Sequence, residues 1–152
     1  TGATNWDSGA NADPGYTVTS GPSGLIELDA GNVITWRRPV AEDTRLAGAA
    51  SLRAYVAAPG FDTTVSGAVA AGISDCERVF AGCTTIAAGQ ISYSQSGFGS
   101  DFGLITIDFG YIDHIVPDGH NIVVSMTAPQ SAGTDSWLAF GTADYPSQLR
   151  LL

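Results

Sequence analysis

Residues 104–127 read LITIDFGYIDHIVPDGHNIVVSMT, and their pattern predicts two antiparallel β-strands joined by a tight turn. Successive side chains of a strand point to opposite faces, so the alternating apolar residues define one buried face in each strand. Pro117, Asp118 and Gly119 favour a turn between them, because proline presets φ and glycine accepts a positive φ. The side chains expected in the core are Ile105, Ile107, Phe109, Ile122, Val124 and Met126.

The rest of the chain repeats this organisation. Alternating runs such as GLIEL, NVITWR and SLRAYVA recur, separated by turn-forming stretches such as DAGN, PGFD and SAGTD, and no window has a helical period over three turns. The pattern predicts an antiparallel all-β sandwich of about 8–10 short strands over residues 24–152, with Trp36 in its core. Residues 1–23, rich in Gly, Asn, Asp and Ser, predict a flexible or partner-binding N-terminal arm.

Charge limits the classes of partner. The chain has 152 residues, a net charge of −9 and six basic residues, all of them arginine. Nucleic-acid binding needs a basic stripe that releases counterions from phosphates, so we expect no nucleic-acid partner. The same sign of charge disfavours anionic membranes, and no apolar run reaches the length of a membrane span. We therefore expect no membrane insertion.

The two cysteines, Cys76 and Cys83, predict a disulfide. Their sequence is DCERVFAGC, whereas zinc knuckles space paired cysteines more closely. On the loop-entropy model such a short ring contributes about 2–3 kcal/mol. A lasting disulfide implies an oxidising compartment, so we expect a secreted, extracellular protein. The start at Thr1, with no signal-peptide pattern, fits a trimmed mature product and equally fits a domain cut from a longer chain.

Both histidines, His114 and His120, lie in the stretch quoted above and flank its turn. With the neighbouring aspartates they could form a cation site, but the Pro-Asp-Gly sequence accounts for a turn without any ligand. We interpret the stretch as a turn and keep His114 and His120 as metal candidates. Carboxylate pairs elsewhere, including Asp75 with Glu77, are expected on the solvated surface.

Two further sets of residues are candidates for ligand binding. Oxygen ligands suit Ca²⁺, and flat aromatic rings stack against sugars. The calcium candidates are Asp7, Asn11 and Asp13, and the aromatic candidates are Trp6, Tyr93, Trp137 and Tyr145. We expect no other cofactor. No nucleophile elbow and no phosphate-binding glycine loop is found, so we expect no catalytic residue.

Three longer stretches resemble a known family. They are VITWRRPVAEDTRLAGAASLRAYVAAPGFDTTV (33–65), LITIDFGYIDHIVPDGHNIVVSMTAP (104–129) and WLAFGTADYPSQLRL (137–151). Together they resemble the C-terminal jelly-roll module of X-Pro dipeptidyl-peptidases and cocaine-esterase-like hydrolases. The resemblance implies a galactose-binding-like jelly roll. In those families the catalytic triad lies mostly or wholly outside this module, so no catalytic residue carries over, and residues 75–95 depart from the pattern.

The sequence therefore favours a non-catalytic extracellular sandwich that acts as a binding or accessory module, with a carbohydrate or cell-surface polymer as the candidate partner. The alternative is a self-assembling structural subunit of an extracellular filament or surface layer. Such a homo-oligomer would use the N-terminal arm or the sheet edges. An enzyme is the third hypothesis.

Overall fold

The fold is an antiparallel β-sandwich. A computed structural model describes residues 4–7, 25–28, 33–77, 82–127, 136–139 and 148–151. Within them the strands are β1 (Thr4–Asp7), β2 (Leu25–Leu28), β3 (Val33–Pro39), β4 (Thr44–Ala57), β5 (Ser66–Cys76), β6 (Cys83–Ser94), β7 (Gly103–Val116), β8 (Asn121–Thr127), β9 (Ser136–Ala139) and β10 (Gln148–Leu151). Short 3₁₀ turns cover Pro59–Phe61 and Gln95–Gly97. No helix in these ranges is long and apolar enough to cross a membrane.

The strand order is that of a jelly roll. One sheet contains β2-β9-β4-β7 and the other contains β3-β8-β5-β6. Strand β4 pairs with β7 along one side, and on the other side it pairs with β10 and then β9, end to end. Strand β1 adds to β10, so part of the predicted N-terminal arm belongs to the sheet. The predicted all-β jelly-roll sandwich is confirmed.

The core lies between the sheets and is lined by the inward rows of the long strands. Five of the six side chains expected there are buried, and the sixth, Phe109, is half-buried against the core. Those five are Ile105, Ile107, Ile122, Val124 and Met126. The backbone of Trp36 lies in β3 opposite Val124, but its side chain lies outside the described part of the chain.

A β-bulge in β7 reverses which side chains face the core. Ala50 pairs with Gly110 and Ser51 pairs with Asp108, so Phe109 is the extra residue. Gly110 has φ +74°, and its amide donates to Oδ1 of Asp108 at 2.8 Å. An αL glycine at a bulge is a common way to insert one residue into an antiparallel pair.

The consequence of the bulge appears in the burial pattern of β7. Before it, the odd-numbered residues Ile105 and Ile107 face the core; after it, the even-numbered residues Ile112 and Val116 do. Because a one-residue shift moves every later side chain to the opposite face, His114 also turns inward. An unbroken period-two pattern would have directed His114 to solvent.

At one end of the sandwich, two connections between the sheets are hydrogen-bonded to each other. The β3–β4 connection meets the β7–β8 turn where the Val40 amide donates to the His120 carbonyl at 3.0 Å and the Gly119 amide donates to the Val40 carbonyl at 3.1 Å. The Asp118 amide also donates to Oδ1 of Asp43 at 2.9 Å. The turn predicted around Pro117–Gly119 is confirmed, with Gly119 at φ +83°.

The opposite end is closed by a neutral side chain. Gln95 is fully buried, and its Oε1 accepts from the Ala58 amide at 2.8 Å. Its Nε2 donates to the carbonyls of Gly99 and Asp101 at 2.8 and 2.9 Å. All three side-chain hydrogen bonds go to backbone groups, so the glutamine fixes two loops without leaving its own amide unsatisfied.

We predict that Gly110→Ala destabilises the protein by about 1–2 kcal/mol, because an L-residue is strained in the left-handed region. A Cβ at this position would meet no atom within 4 Å, so backbone strain is the expected cause. Chemical denaturation measures the change. The matched control is Gly97→Ala, where a Cβ also meets nothing within 4 Å and φ is not positive. Equal stability of the two variants would contradict the bulge geometry.

Candidate functional site

Asp75 is a buried carboxylate near the end of β5, and both histidines of the chain hydrogen-bond to it. Its Oδ2 lies 2.8 Å from Nε2 of His114, and its Oδ1 lies 2.7 Å from Nδ1 of His120. The Asp75 side chain is 9% exposed, whereas the imidazoles are 29% and 31% exposed. We call these three residues the His–Asp–His cluster.

Each member of the cluster is placed by an inward-facing row. Asp75 pairs with Ile122 of β8, and His114 pairs with Leu46 of β4; both partners are buried. His120 immediately precedes β8 and lies two residues before Ile122, so the alternation of the strand places both on the same face. The cluster therefore links β5 of one sheet to β7 of the other and to the turn between the sheets.

The electrostatics of Asp75 follow from opposing effects. Burial is the largest single influence and acts to raise the pKa of the carboxyl group, because it disfavours the charged form. Hydrogen bonds from His114 and His120 act the other way, as does the positive charge that the imidazoles carry when protonated, and the net result is a lowered pKa for Asp75. The carboxylate is thus ionised at neutral pH and accepts both hydrogen bonds. Each imidazole must then donate through the nitrogen that faces it.

This arrangement orients the histidines but does not form a nucleophilic triad. In such a triad the imidazole that is held by a carboxylate also receives a hydroxyl or thiol hydrogen bond. Within the described residues, no hydroxyl or thiol hydrogen-bonds to His114 or His120. The chemistry displayed by the cluster is that of a carboxylate hydrogen-bonded to two imidazoles across the sheets.

The metal prediction for His114 and His120 stays a prediction. Each ring already uses one nitrogen on Asp75, and the remaining nitrogen lies on the far side of the ring. Across the ranges that the structure covers, no group of three or more His, Cys, Asp or Glu residues is arranged to hold a metal ion.

A cavity of about 390 Å³ opens beside the cluster, where β3 leaves one sheet and β4 enters the other. Its lining residues are Arg38, Pro39, Val40, Ala41, Glu42, Thr44, Arg45, Leu46 and Ile122. Leu46 and Ile122 are the cross-strand partners of His114 and Asp75, so the apolar floor of the cavity adjoins the cluster. The volume lies within the usual range of small-ligand sites, roughly 300–1,000 Å³.

Two of the charged groups in the cavity wall differ in how they are held. Arg45 binds Asp113 in a bidentate ion pair, with Nε–Oδ1 and Nη2–Oδ2 distances of 2.9 and 2.8 Å. The hydrogen bonds from Arg45 lower the pKa of Asp113, and the same contact raises the pKa of Arg45. The side chain of Arg38 is exposed and makes no hydrogen bond or ion pair with another described residue.

The structure joins Cys76 and Cys83 in the expected disulfide, which links β5 to β6 directly after Asp75.

The prediction of Tyr93 as an exposed sugar-stacking residue is wrong. Tyr93 is 7% exposed and stacks on Phe98 with 5.7 Å between ring centroids, so its ring cannot serve as an exposed sugar platform. The side chains of Asp7, Trp6 and Trp137, and the whole of Asn11, Asp13 and Tyr145, lie outside the described residues. The calcium and remaining aromatic predictions fall there.

Asp75 is the residue that the sequence analysis missed. It was expected on the solvated surface beside Glu77, but only Glu77 is exposed. The available signal was its position two residues after Ile73 in the stretch AVAAGISDC, where continued alternation directs it inward. An inward carboxylate must find donors, because an unpaired buried charge is costly. The two histidines supply them.

The comparisons with known proteins identify a shared fold. No protein-family model matches the chain, and no curated protein matches it. Among solved structures, an aminopeptidase from a marine sediment Thaumarchaeota archaeon aligns with a TM-score of 0.63 and 14% identity, over 78% of this chain and 25% of that one. A CocE/NonD family hydrolase from Staphylococcus aureus aligns with a TM-score of 0.64 and 10% identity, over 84% and 32%.

An α-amino acid ester hydrolase gives a similar alignment, with a TM-score of 0.61, 11% identity and coverage of 78% and 25%. The chain therefore spans about a quarter to a third of the length of these structures. It has the fold of their C-terminal β-sandwich region, as the resemblance in residues 33–65 and 104–129 implied.

We predict that Asp75→Asn lowers the free energy of unfolding by about 1–3 kcal/mol at neutral pH, because an amide cannot accept from both imidazoles and leaves a buried donor facing a donor. Denaturant unfolding of both proteins measures the loss. Glu77→Gln is the matched control, since it removes the same charge from an exposed side chain two residues away. A loss in Asp75→Asn no larger than that of the control would contradict the role of the cluster.

The difference in stability between the natural protein and Asp75→Asn should also depend on pH. Because the folded-state pKa of Asp75 lies below its ordinary value of 3.8, its stabilisation is fully present above that pH and is lost as the pH falls further through the folded pKa. The stability gap between the natural protein and Asp75→Asn should therefore narrow below pH 3.8. Measuring the gap isolates Asp75 from Asp62 and Asp113, whose pKa values are also lowered. A gap that widens as the pH falls below 3.8 would refute the assignment.

Proposed function

We propose that this chain is a non-catalytic extracellular β-sandwich that serves as a binding or accessory module. The observation that carries the proposal is the cavity of about 390 Å³ between β3, β4 and β8, whose wall combines an apolar floor with charged groups at the mouth. Ligand sites typically combine an apolar surface with a few polar groups that orient the ligand. The Cys76–Cys83 disulfide supports an oxidising, extracellular location.

The fold comparison supports the accessory part of the proposal. In the aligned hydrolases and aminopeptidase the sandwich accounts for only a quarter to a third of the chain. The cluster supports the non-catalytic part, because the imidazoles receive no hydroxyl or thiol hydrogen bond from the described residues.

A ligand screen followed by NMR tests the binding function. With the ¹⁵N-labelled protein and a set of glycans and small fragments, we expect amide shifts that cluster at residues 40–46 and at Ile122. Ester and peptide hydrolysis assays form the second arm. Turnover that His120→Gln abolishes in a folded protein would overturn the non-catalytic assignment, and a screen with no shifts in this region would overturn the cavity as the binding site.

Self-association is a second candidate function, favoured by apolar side chains on the outer face of β7. Tyr111 is 74% exposed and Ile115 is 57% exposed, and both face outward because of the bulge. Large apolar side chains placed together on a surface commonly mark an interaction site.

Light scattering coupled to size-exclusion chromatography tests this alternative across a concentration series. If copies assemble through this face, the double variant Tyr111→Ser and Ile115→Thr should remain monomeric where the natural protein associates. Thr106→Ser, an exposed position on the same strand, is the matched control and should associate normally. A natural protein that stays monomeric at high concentration would rule the alternative out.

A further inference from the structure

Arg38 occupies an unusual place for a charged side chain. It pairs with Ile122 in the antiparallel β3–β8 ladder, and directly paired residues point to the same face of a sheet. Ile122 is buried, so Arg38 starts from the core-facing side of β3. It is nevertheless exposed, and it lines the cavity. Arg38 thus shares the cavity wall with the buried apolar residues Leu46 and Ile122.

The cavity brings two arginines together although the chain as a whole is acidic. The chain carries a net charge of −9, and two of its six arginines, together with Glu42, are among the described residues that line the cavity. Arg45 is committed to Asp113 through Nε and Nη2. Arg38 is uncommitted within the described residues, and its planar group matches a carboxylate in a bidentate geometry.

We propose that the cavity binds a small carboxylate that carries a short apolar group. The carboxylate would pair with Arg38, and the apolar group would lie against Leu46, Ile122 and Val40. None of the lining residues that the structure describes is aromatic. The overall negative charge disfavours a polyanion. This inference rests on the proposed binding function and specifies its ligand class.

The test is an NMR titration with hexanoate and its neutral isostere hexanamide. We expect hexanoate to shift the amides of residues 40–46 and Ile122, and to bind more tightly than hexanamide by roughly three- to tenfold, as an accessible charged hydrogen bond allows. Acetate, which lacks the apolar group, should bind more weakly than hexanoate. N-acetyl-leucine, which resembles a peptide C-terminus, is titrated in the same way. Tighter binding of N-acetyl-leucine than of hexanoate would identify a peptide C-terminus as the source of the carboxylate, and weaker binding would identify a free acid.

Arg38→Gln should remove the preference for hexanoate over hexanamide, and Arg53→Gln should retain it. Arg53 lies on β4 outside the cavity, so the control makes the same change in net charge. A well-dispersed NMR spectrum establishes that each variant is folded. Equal binding of hexanoate and hexanamide, or an unchanged preference in Arg38→Gln, would overturn the carboxylate inference while the binding function stands. Absence of cavity shifts with every ligand of the wider screen would overturn both.

Discussion

A buried carboxylate must be matched by donors, and this requirement organises one end of the sandwich. Asp75 lies where the inward row of β5 ends, and its two oxygens are satisfied by imidazoles from β7 and from the turn that follows it. Removing a carboxylate from water is favourable only when hydrogen bonds and compensating charge replace hydration. Because Asp75 belongs to one sheet, His114 to the other and His120 to the turn that connects them, satisfying Asp75 also fixes how the sheets meet.

The bulge at Phe109–Gly110 is what makes this contact attainable. Without the extra residue, β7 would present Asp113 rather than His114 to the interior, and two carboxylates would face each other across the core. With it, Asp113 lies on the outer face, where it holds Arg45 at the cavity wall. One backbone irregularity therefore determines both the cluster and the charge arrangement of the adjacent cavity.

Local patterns predicted the parts of the fold that depend on neighbours in sequence. The turn around Pro117–Gly119, the buried alternation of β8 and the Cys76–Cys83 bond follow from short-range chemistry. The cluster could not be predicted in the same way, since Asp75 meets histidines 39 and 45 residues away. The phase change at Phe109 was also hidden, because FGY fits an uninterrupted strand as well as it fits a bulge. The cavity combines residues of the β3–β4 connection with Ile122 of β8, so no single stretch of sequence encodes it.

The buried glutamine gives the sandwich two chemically different ends. Gln95 closes one end with an amide that does not titrate, whereas the other end depends on the Asp75 carboxylate, which loses its charge in acid. Local opening begins where the contacts are weakest under the prevailing conditions. In acid, the end of the sandwich that contains Asp75 should therefore unfold first, and the end that contains Gln95 should be the last to lose its native contacts.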